Sequence, residues 1–278
     1  MIANCIIIGS QKAGTTSLFN YLAKQEHVFG PRIKECDFFS NFANEGLRDN
    51  LRYAGKKDAG FTLGQYEELY TNAVDSAVRL DASPSYMWCD GVPEAIQRLS
   101  PDALIVGIIR EPISRIRSAY RHNVRRGLEG VLDINEAIMA EERRWQSGDF
   151  KLTHLYCKRS EYLSQLKRYY ALFGADRVKV FTFDEFVASP GTVVSSILQS
   201  YGLGITDEGC LQESYNSASA SVGLLRQFKA HVRALLEPKV PVANYEIKAE
   251  VIDYIREQTN PNFEELSALT GCDLSSWS

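Results

Sequence analysis

Three short apolar runs stand out along the chain: Cys5-Ile-Ile-Ile-Gly9, Ala103-Leu-Ile-Val-Gly-Ile-Ile109 and Val178-Lys-Val-Phe-Thr-Phe183. They are rich in β-branched residues and too short for buried helices, so each reads as a core strand. Between them the apolar positions change to helical spacing. Thr15 to Lys24 carries Leu18, Phe19 and Leu22 on one face, and similar patterns cover Ser160 to Phe173 and Pro190 to Tyr201. Beyond these, Val222 to Leu236 and Tyr245 to Glu257 also read as helices. Strands that alternate with helices predict a parallel sheet covered on both faces. The expected fold is a single α/β domain over residues 1–278, with a central parallel sheet of about five strands flanked by helices. Residues 41–75 have weaker periodicity and many polar positions, and read as an insertion or lid.

Composition narrows the classes. Apolar residues make up 45% and charged residues 24% of 278, which fits a globular chain and excludes gross disorder. A net charge of −4 argues against a general nucleic-acid binder. No stretch approaches the roughly 20 apolar residues that span a membrane. The opening Met1 to Gly9 lacks the basic start of a signal peptide, so a cytoplasmic protein is expected, without nucleic-acid or membrane partners and as a monomer or homodimer. Cys5, Cys36, Cys89, Cys157, Cys210 and Cys272 are scattered without metal-ligand spacing, which reads as reduced thiols and no metal site.

The chemistry begins where the first strand ends. Gly9-Ser-Gln-Lys-Ala-Gly-Thr-Thr-Ser17 turns the chain into a helix. Glycines permit the tight turn, and free N–H groups at a helix start attract anions. The expected contacts are Gln11, Lys12, Ala13 and Gly14, with hydroxyl donors from Thr15, Thr16 and Ser17. A Walker loop would place its lysine directly after the second glycine. Here Thr15 stands there and the lysine is Lys12, where it can lean over a leaving-group bridge. The second run ends in Arg110-Glu-Pro-Ile-Ser-Arg-Ile-Arg-Ser-Ala-Tyr120. Pro112 suits a first helical turn, and Arg110 leaves the carboxyl end of a strand, the edge where open α/β sheets bind ligands. Arginine gives the bidentate phosphate contact that lysine does not, and Ser118 can place a hydroxyl near the same phosphate.

These segments resemble the sulfotransferases that use 3′-phosphoadenosine 5′-phosphosulfate (PAPS). Gly9 to Ser17 is similar to their 5′-phosphosulfate loop, and the Arg110 to Tyr120 segment to their 3′-phosphate motif. Pro31 to Phe39 looks like the KExxFF stretch of the carbohydrate-type branch, which includes the heparan sulfate enzymes. Asp81 to Tyr86, Arg159 to Tyr162, Arg177 to Glu185 and Gly271 to Trp277 also resemble family segments. The resemblance implies a P-loop-like sulfotransferase fold, PAPS as co-substrate, adenosine 3′,5′-bisphosphate (PAP) as product, and no required metal. It makes Lys12 and Glu35 catalytic, Glu35 as general base, and gives Arg110 and Ser118 the 3′-phosphate. Arg226, in a late loop at 216–226, stands in for that loop's usual basic residue. Phe38, Tyr86, His122 and Tyr162 are expected to border the acceptor, with Phe38-Phe39 packing under the loop that aims Glu35.

Arg115, Arg117, Arg121, Arg125 and Arg126 read mainly as a solvated helix face, only part of it near the nucleotide. Expected acceptors are small, polar or cationic, since stand-alone bacterial members of the family sulfate natural products such as saxitoxin-type guanidinium alkaloids. A carbohydrate or lipo-oligosaccharide is the alternative. A P-loop kinase, with Asp81 as its nearest Walker-B carboxylate, and a non-enzymatic nucleotide-binding module are the competing classes.

Overall fold

Each apolar run forms a strand of one parallel sheet, and the helical patterns cover its two faces. The computed structural model describes residues 1–43, 61–148, 152–212, 243–259 and 262–277. The strands are β1 (Cys5–Gly9), β2 (Val28–Phe29), β3 (Val78–Ala82), β4 (Leu104–Ile109) and β5 (Val178–Thr182). Their order is β2-β3-β1-β4-β5, and every pairing is parallel. In the chain, α1 (Thr15–Ala23), α2 (Phe38–Ala43) and α3 (Leu63–Glu68) come before β3. Next come α4 (Val92–Leu99), α5 (Pro112–Arg125), α6 (Ile134–Ser147) and α7 (Tyr162–Phe173), then α8 (Phe183–Ala188) and α9 (Pro190–Gln199) after β5.

The continuous apolar character of β1 and β4 follows from their central place. Alternate residues face opposite sides, and both sides are roofed. Ile6, Ile8, Ile105 and Ile109 pack with Phe38, Phe39, Tyr66, Leu166 and Tyr169 on one face. Cys5, Ile7, Leu104, Val106 and Ile108 pack with Leu18, Leu22, Val193 and Ile197 on the other. Each fully buried isoleucine contributes roughly 1.5–3 kcal/mol. A third cluster joins α5 and α6 to the helix Ala249–Thr259 through Ile116, Tyr120, Ile138, Val251 and Ile255.

Three boundaries differ from the sequence reading. Phe183 leaves the third strand and opens α8, because Thr182 and Glu185 form a capping box: the Glu185 N–H donates to Thr182 Oγ1 at 3.1 Å, and the Thr182 N–H to Glu185 Oε2 at 2.7 Å. The helix read as Tyr245 to Glu257 begins at Ala249, since Asn244 instead bridges to Asp133. Within the stretch read as a lid, α3 buries Tyr66, and Tyr70 just after it is buried too, so these two tyrosines belong to the core; residues 44–60 lie outside the described residues. The helix expected over Val222 to Leu236 and the loop at 216–226, with Arg226, also lie outside them. All six cysteines are free thiols and buried. No helix among the described residues is long and apolar enough to cross a membrane.

Candidate active site

The carboxyl edge of the sheet gathers the loops that follow β1, β3, β4 and β5. Gly14 caps α1 in a left-handed conformation, φ 93°. A side chain there would also crowd the Phe186 ring, with an added Cβ only 3.1 Å from two ring carbons. Lys12 is left-handed as well, φ 72°. A non-glycine residue so placed costs roughly 1–2 kcal/mol, and such strain gathers at functional sites. The loop is held from three sides. Arg110 Nη1 donates to the Lys12 carbonyl at 3.1 Å, Ser10 Oγ lies 3.4 Å from Tyr162 Oη, and Arg159 donates to the Gln11 side-chain oxygen.

The Arg-Glu-Pro segment divides its labour. Glu111 caps α5, accepting from the Ile113 and Ser114 N–H groups at 2.8 and 2.6 Å, while Pro112 fills the first turn. Arg110 is thereby left outside the helix, and its guanidinium lies 4.2 Å from the centre of the Phe183 ring. The Tyr162 hydroxyl donates to the Arg110 carbonyl at 2.9 Å, fixing the backbone there. Ser118 sits two turns along α5, half-buried. Thus β5 and α8 supply the floor of the site, Phe183 beneath Arg110 and Phe186 against Gly14. Neither phenylalanine is identifiable from sequence alone, although both follow the Arg177 to Thr182 run.

Electrostatics tie the remaining groups together. Burial holds the Lys12 ammonium below the usual lysine value; Arg110, Arg125 and Arg126 push the same way, and Glu35 opposes them. Burial also lowers His122, with Lys12, Arg126 and Arg125 adding to the effect and Glu35 again opposing. Lys12, Glu35, His122, Arg125 and Arg126 therefore share one neighbourhood. This brings the end of α5 into the site, beyond the solvated face read from the sequence. The Glu35 side chain is 50% exposed and lies 2.8 Å from Lys34 Nζ.

The loop behind Glu35 is anchored to a buried polar cluster. Asp37, left-handed at φ 53°, accepts from Ser85 Oγ at 2.6 Å, and its N–H donates to Ser83 Oγ at 3.2 Å. Asp81, fully enclosed at the end of β3, accepts from Tyr66 Oη at 2.8 Å, Tyr86 Oη at 2.9 Å and Ser83 Oγ at 3.3 Å. Burial pushes its pKa up to about 6. Phe38 stacks on Tyr66 with ring centres 4.0 Å apart. Phe38 and Tyr86 are 0% exposed and Tyr162 is 2% exposed, so none has surface to offer an acceptor in this structure. All three lie in the interior, Phe38 among the rings of Phe39, Phe42 and Tyr66; of the four residues expected around the acceptor, only His122 is not buried. Asp81, facing three hydroxyls in the core, is not placed as a metal-binding carboxylate. Among the described residues no group of three or more His, Cys, Asp or Glu side chains is arranged to hold a metal ion.

Comparison with known proteins gives one consistent answer. Residues 5–207 match the model of the Sulfotransferase family. The chain is 20% identical over 201 residues to mouse bifunctional heparan sulfate N-deacetylase/N-sulfotransferase 4, covering 71% of this chain and 22% of that protein. It is 25% identical over 119 residues to human heparan sulfate glucosamine 3-O-sulfotransferase 3B1, covering 43% and 26%. The chain thus spans less than a third of the length of these curated relatives. Among solved structures, a sulfotransferase from Alicyclobacillus acidocaldarius superposes with a TM-score of 0.74 at 26% identity, covering 100% of this chain and 99% of that one. The sulfotransferase domain from the curacin biosynthetic pathway shares the fold, with a TM-score of 0.51 at 16% identity and coverage of 94% and 98%. Since the matched span runs unbroken from the first residue of β1 past the end of α9, and takes in the phosphate loop, Arg110 and the floor beneath them, the chain belongs to the Sulfotransferase family.

Proposed function

We propose that the protein transfers a sulfuryl group from PAPS to a hydroxyl of a polar acceptor and releases PAP. The observation that supports this reading is the hydrogen bond from Arg110 to the Lys12 carbonyl, which ties the loop after β4 to the left-handed loop after β1. Sulfuryl transfer, like phosphoryl transfer, depends on positioning and on charge stabilisation. Lys12, with Thr15 and Thr16, stabilises the charge that builds on the oxygen bridging sulfur and 5′-phosphate. Arg110 and Ser118 hold the 3′-phosphate and select PAPS over nucleotides without it. Glu35 accepts the acceptor's proton. The anionic oxygens of the nucleotide face the lysine and the N–H groups that open α1, so no divalent ion is required.

The acceptor is proposed by charge. Among the described residues that act on His122, the cations Lys12, Arg125 and Arg126 outnumber the carboxylate Glu35, which disfavours a guanidinium acceptor relative to a neutral one. This favours a sugar-like acceptor over a cationic alkaloid, and the heparan sulfate names of the curated relatives support the same direction.

The test begins with thermal unfolding. PAP should raise the melting temperature through native-state binding, and adenosine 5′-phosphate much less; equal affinity for the two would reject the 3′-phosphate assignment. PAPS is then offered, with EDTA present, to a mixed pool of desulfated heparan oligosaccharides, neutral sugars and guanidinium metabolites. Mass spectrometry should find the added sulfuryl group on the sugars. Its appearance on the guanidinium compounds alone would reverse the choice of acceptor.

A further inference from the structure

Beside the phosphate loop lies an arginine whose charge nothing described in the protein answers. Arg159 is 5% exposed. One nitrogen, Nη1, donates to Gln11 Oε1, and its guanidinium stacks against the Trp88 ring with 5.2 Å to the ring centre. Its Nε has no hydrogen-bond partner, and neither has Trp88 Nε1, although both atoms are sealed from solvent. Among the described residues no carboxylate pairs with it. The nearest comparable group makes matters worse: Arg115, completely buried, repels it and has an unpartnered Nη1 of its own.

Leaving such a group buried and unanswered is costly. A buried charge normally carries a counter-charge, and an unsatisfied buried donor costs about 1–3 kcal/mol, more when charged. Arg159 does have a neighbour of defined purpose. Gln11 immediately precedes Lys12, so the guanidinium bound to Gln11 lies beside the loop that carries Lys12. Trp88 follows β3, and the Arg159 segment leads into α7, whose first residue, Tyr162, holds the Arg110 carbonyl. Arg159 is thus at the ligand-bearing carboxyl edge of the sheet, between the loops after β1 and β3.

We propose that Arg159, braced by Gln11 and Trp88, binds an oxygen of the sulfuryl group of the bound donor. This rests on the PAPS reading above and extends it to the part of the donor that PAP lacks. In the step itself the bond from sulfur to the bridging oxygen breaks, its electron pair staying on the 5′-phosphate. A lone pair of the acceptor hydroxyl forms the new sulfur–oxygen bond, and the hydroxyl proton goes to Glu35. The three remaining sulfuryl oxygens keep their partial charge throughout. Lys12 meets the leaving side of the sulfur, and Arg159 meets one of the three oxygens that travel. Planar guanidinium geometry suits a tetrahedral oxyanion better than a lysine ammonium does.

Calorimetry on the full chain with PAPS and with PAP, without acceptor, tests this directly. Wild type should bind PAPS more tightly than PAP. In Arg159→Lys the affinity for PAPS should fall about 10- to 100-fold, the scale of a lost hydrogen bond between charged groups, while affinity for PAP stays within about threefold. A merely structural arginine would weaken both nucleotides together. If Arg159→Lys does not fold, as melting would reveal, Gln11→Ala removes the brace, and any loss of Gln11's own contact with the 5′-phosphate is common to both nucleotides and cancels in the comparison; it should cut the PAPS-over-PAP preference about 3- to 10-fold, an intermediate loss because the arginine remains. An unchanged preference in the variant that folds overturns the proposal, as does a wild type that binds both nucleotides equally. A rise in acceptor KM with nucleotide affinities intact would assign Arg159 to the acceptor and overturn it too. Failure of wild type to bind either nucleotide would instead reject the donor reading, and this proposal with it.

Discussion

The substitution Asp81→Asn isolates a buried carboxylate that no cation among the described residues neutralises. The side chain is fully enclosed beneath the loop that carries Glu35, and it accepts from three hydroxyl groups, two of them tyrosines, and more distantly from the Cys36 thiol. Burial raises its pKa from 3.8 to about 6, and Asp37 nearby adds to the rise while the hydroxyl donors oppose it. At 1.36 kcal/mol per pH unit, that difference is worth about 3 kcal/mol. The sign is fixed by which state holds the proton longer. Below about pH 4 the carboxyl is protonated in folded and unfolded chains alike, and the stabilisation is fully present. Between pH 4 and 6 the unfolded chain ionises first, so stability falls as pH rises; above pH 6 this contribution is flat. The asparagine side chain cannot ionise, so the variant's stability relative to wild type should improve by about 3 kcal/mol between pH 4 and pH 7. Urea unfolding of both proteins at several pH values measures this as a difference, in which all other titrating groups cancel. Parallel pH profiles would refute the claim that burial dominates over the tyrosine donors.

Two substitutions probe the loops on either side of the transfer. Glu35→Gln keeps the shape and removes the proposed base, so kcat should fall roughly 10²- to 10⁴-fold with PAP affinity unchanged; normal turnover would pass the role to His122. Gly14→Ala imposes both the left-handed φ of 93° and a clash with the Phe186 ring. It should lose about 1–3 kcal/mol in chemical denaturation and weaken PAP binding, because the start of α1 must shift; an unaltered midpoint and affinity would show that Phe186 yields freely.

What could be read from the sequence depended on how local the cause was. β1 and β4 announce themselves because each is an apolar run at the centre of the sheet, and β5, at its edge, because Val178, Val180 and Thr182 alternate inward along a short β-branched stretch. β3 does not, since Val-Arg-Leu-Asp-Ala interleaves a charge at Arg79 with one at Asp81, and the second is tolerated only because Tyr66 and Tyr86 reach it from elsewhere. The strand–turn–helix form of Gly9 to Ser17 and of the Arg110 segment was legible because in each the strand, turn and helix start are contiguous. Contacts such as Arg159 on Gln11, or Phe183 under Arg110, join residues far apart and leave no spacing to detect. The same locality explains the misplaced acceptor residues: aromatic residues near a catalytic motif look like a platform, but Phe38 and Tyr86 are consumed by packing and by the Asp81 carboxylate.

The position of β1 in the middle of the sheet also governs how the protein can be made. Its neighbours pair Cys5 with Leu80 on one side and with Leu104 on the other, so the first of the five strands to emerge lacks its full set of partners until about a hundred residues have followed it. At about 5–20 residues per second, a wholly apolar isoleucine segment stays exposed on the nascent chain for roughly 5–20 seconds. The Gly9 to Ser17 turn attached to it cannot take its final shape before then. Ribosome-bound chaperones therefore have a defined substrate in this chain, and slower, cooler expression should favour soluble yield by lowering the concentration of chains caught in that interval.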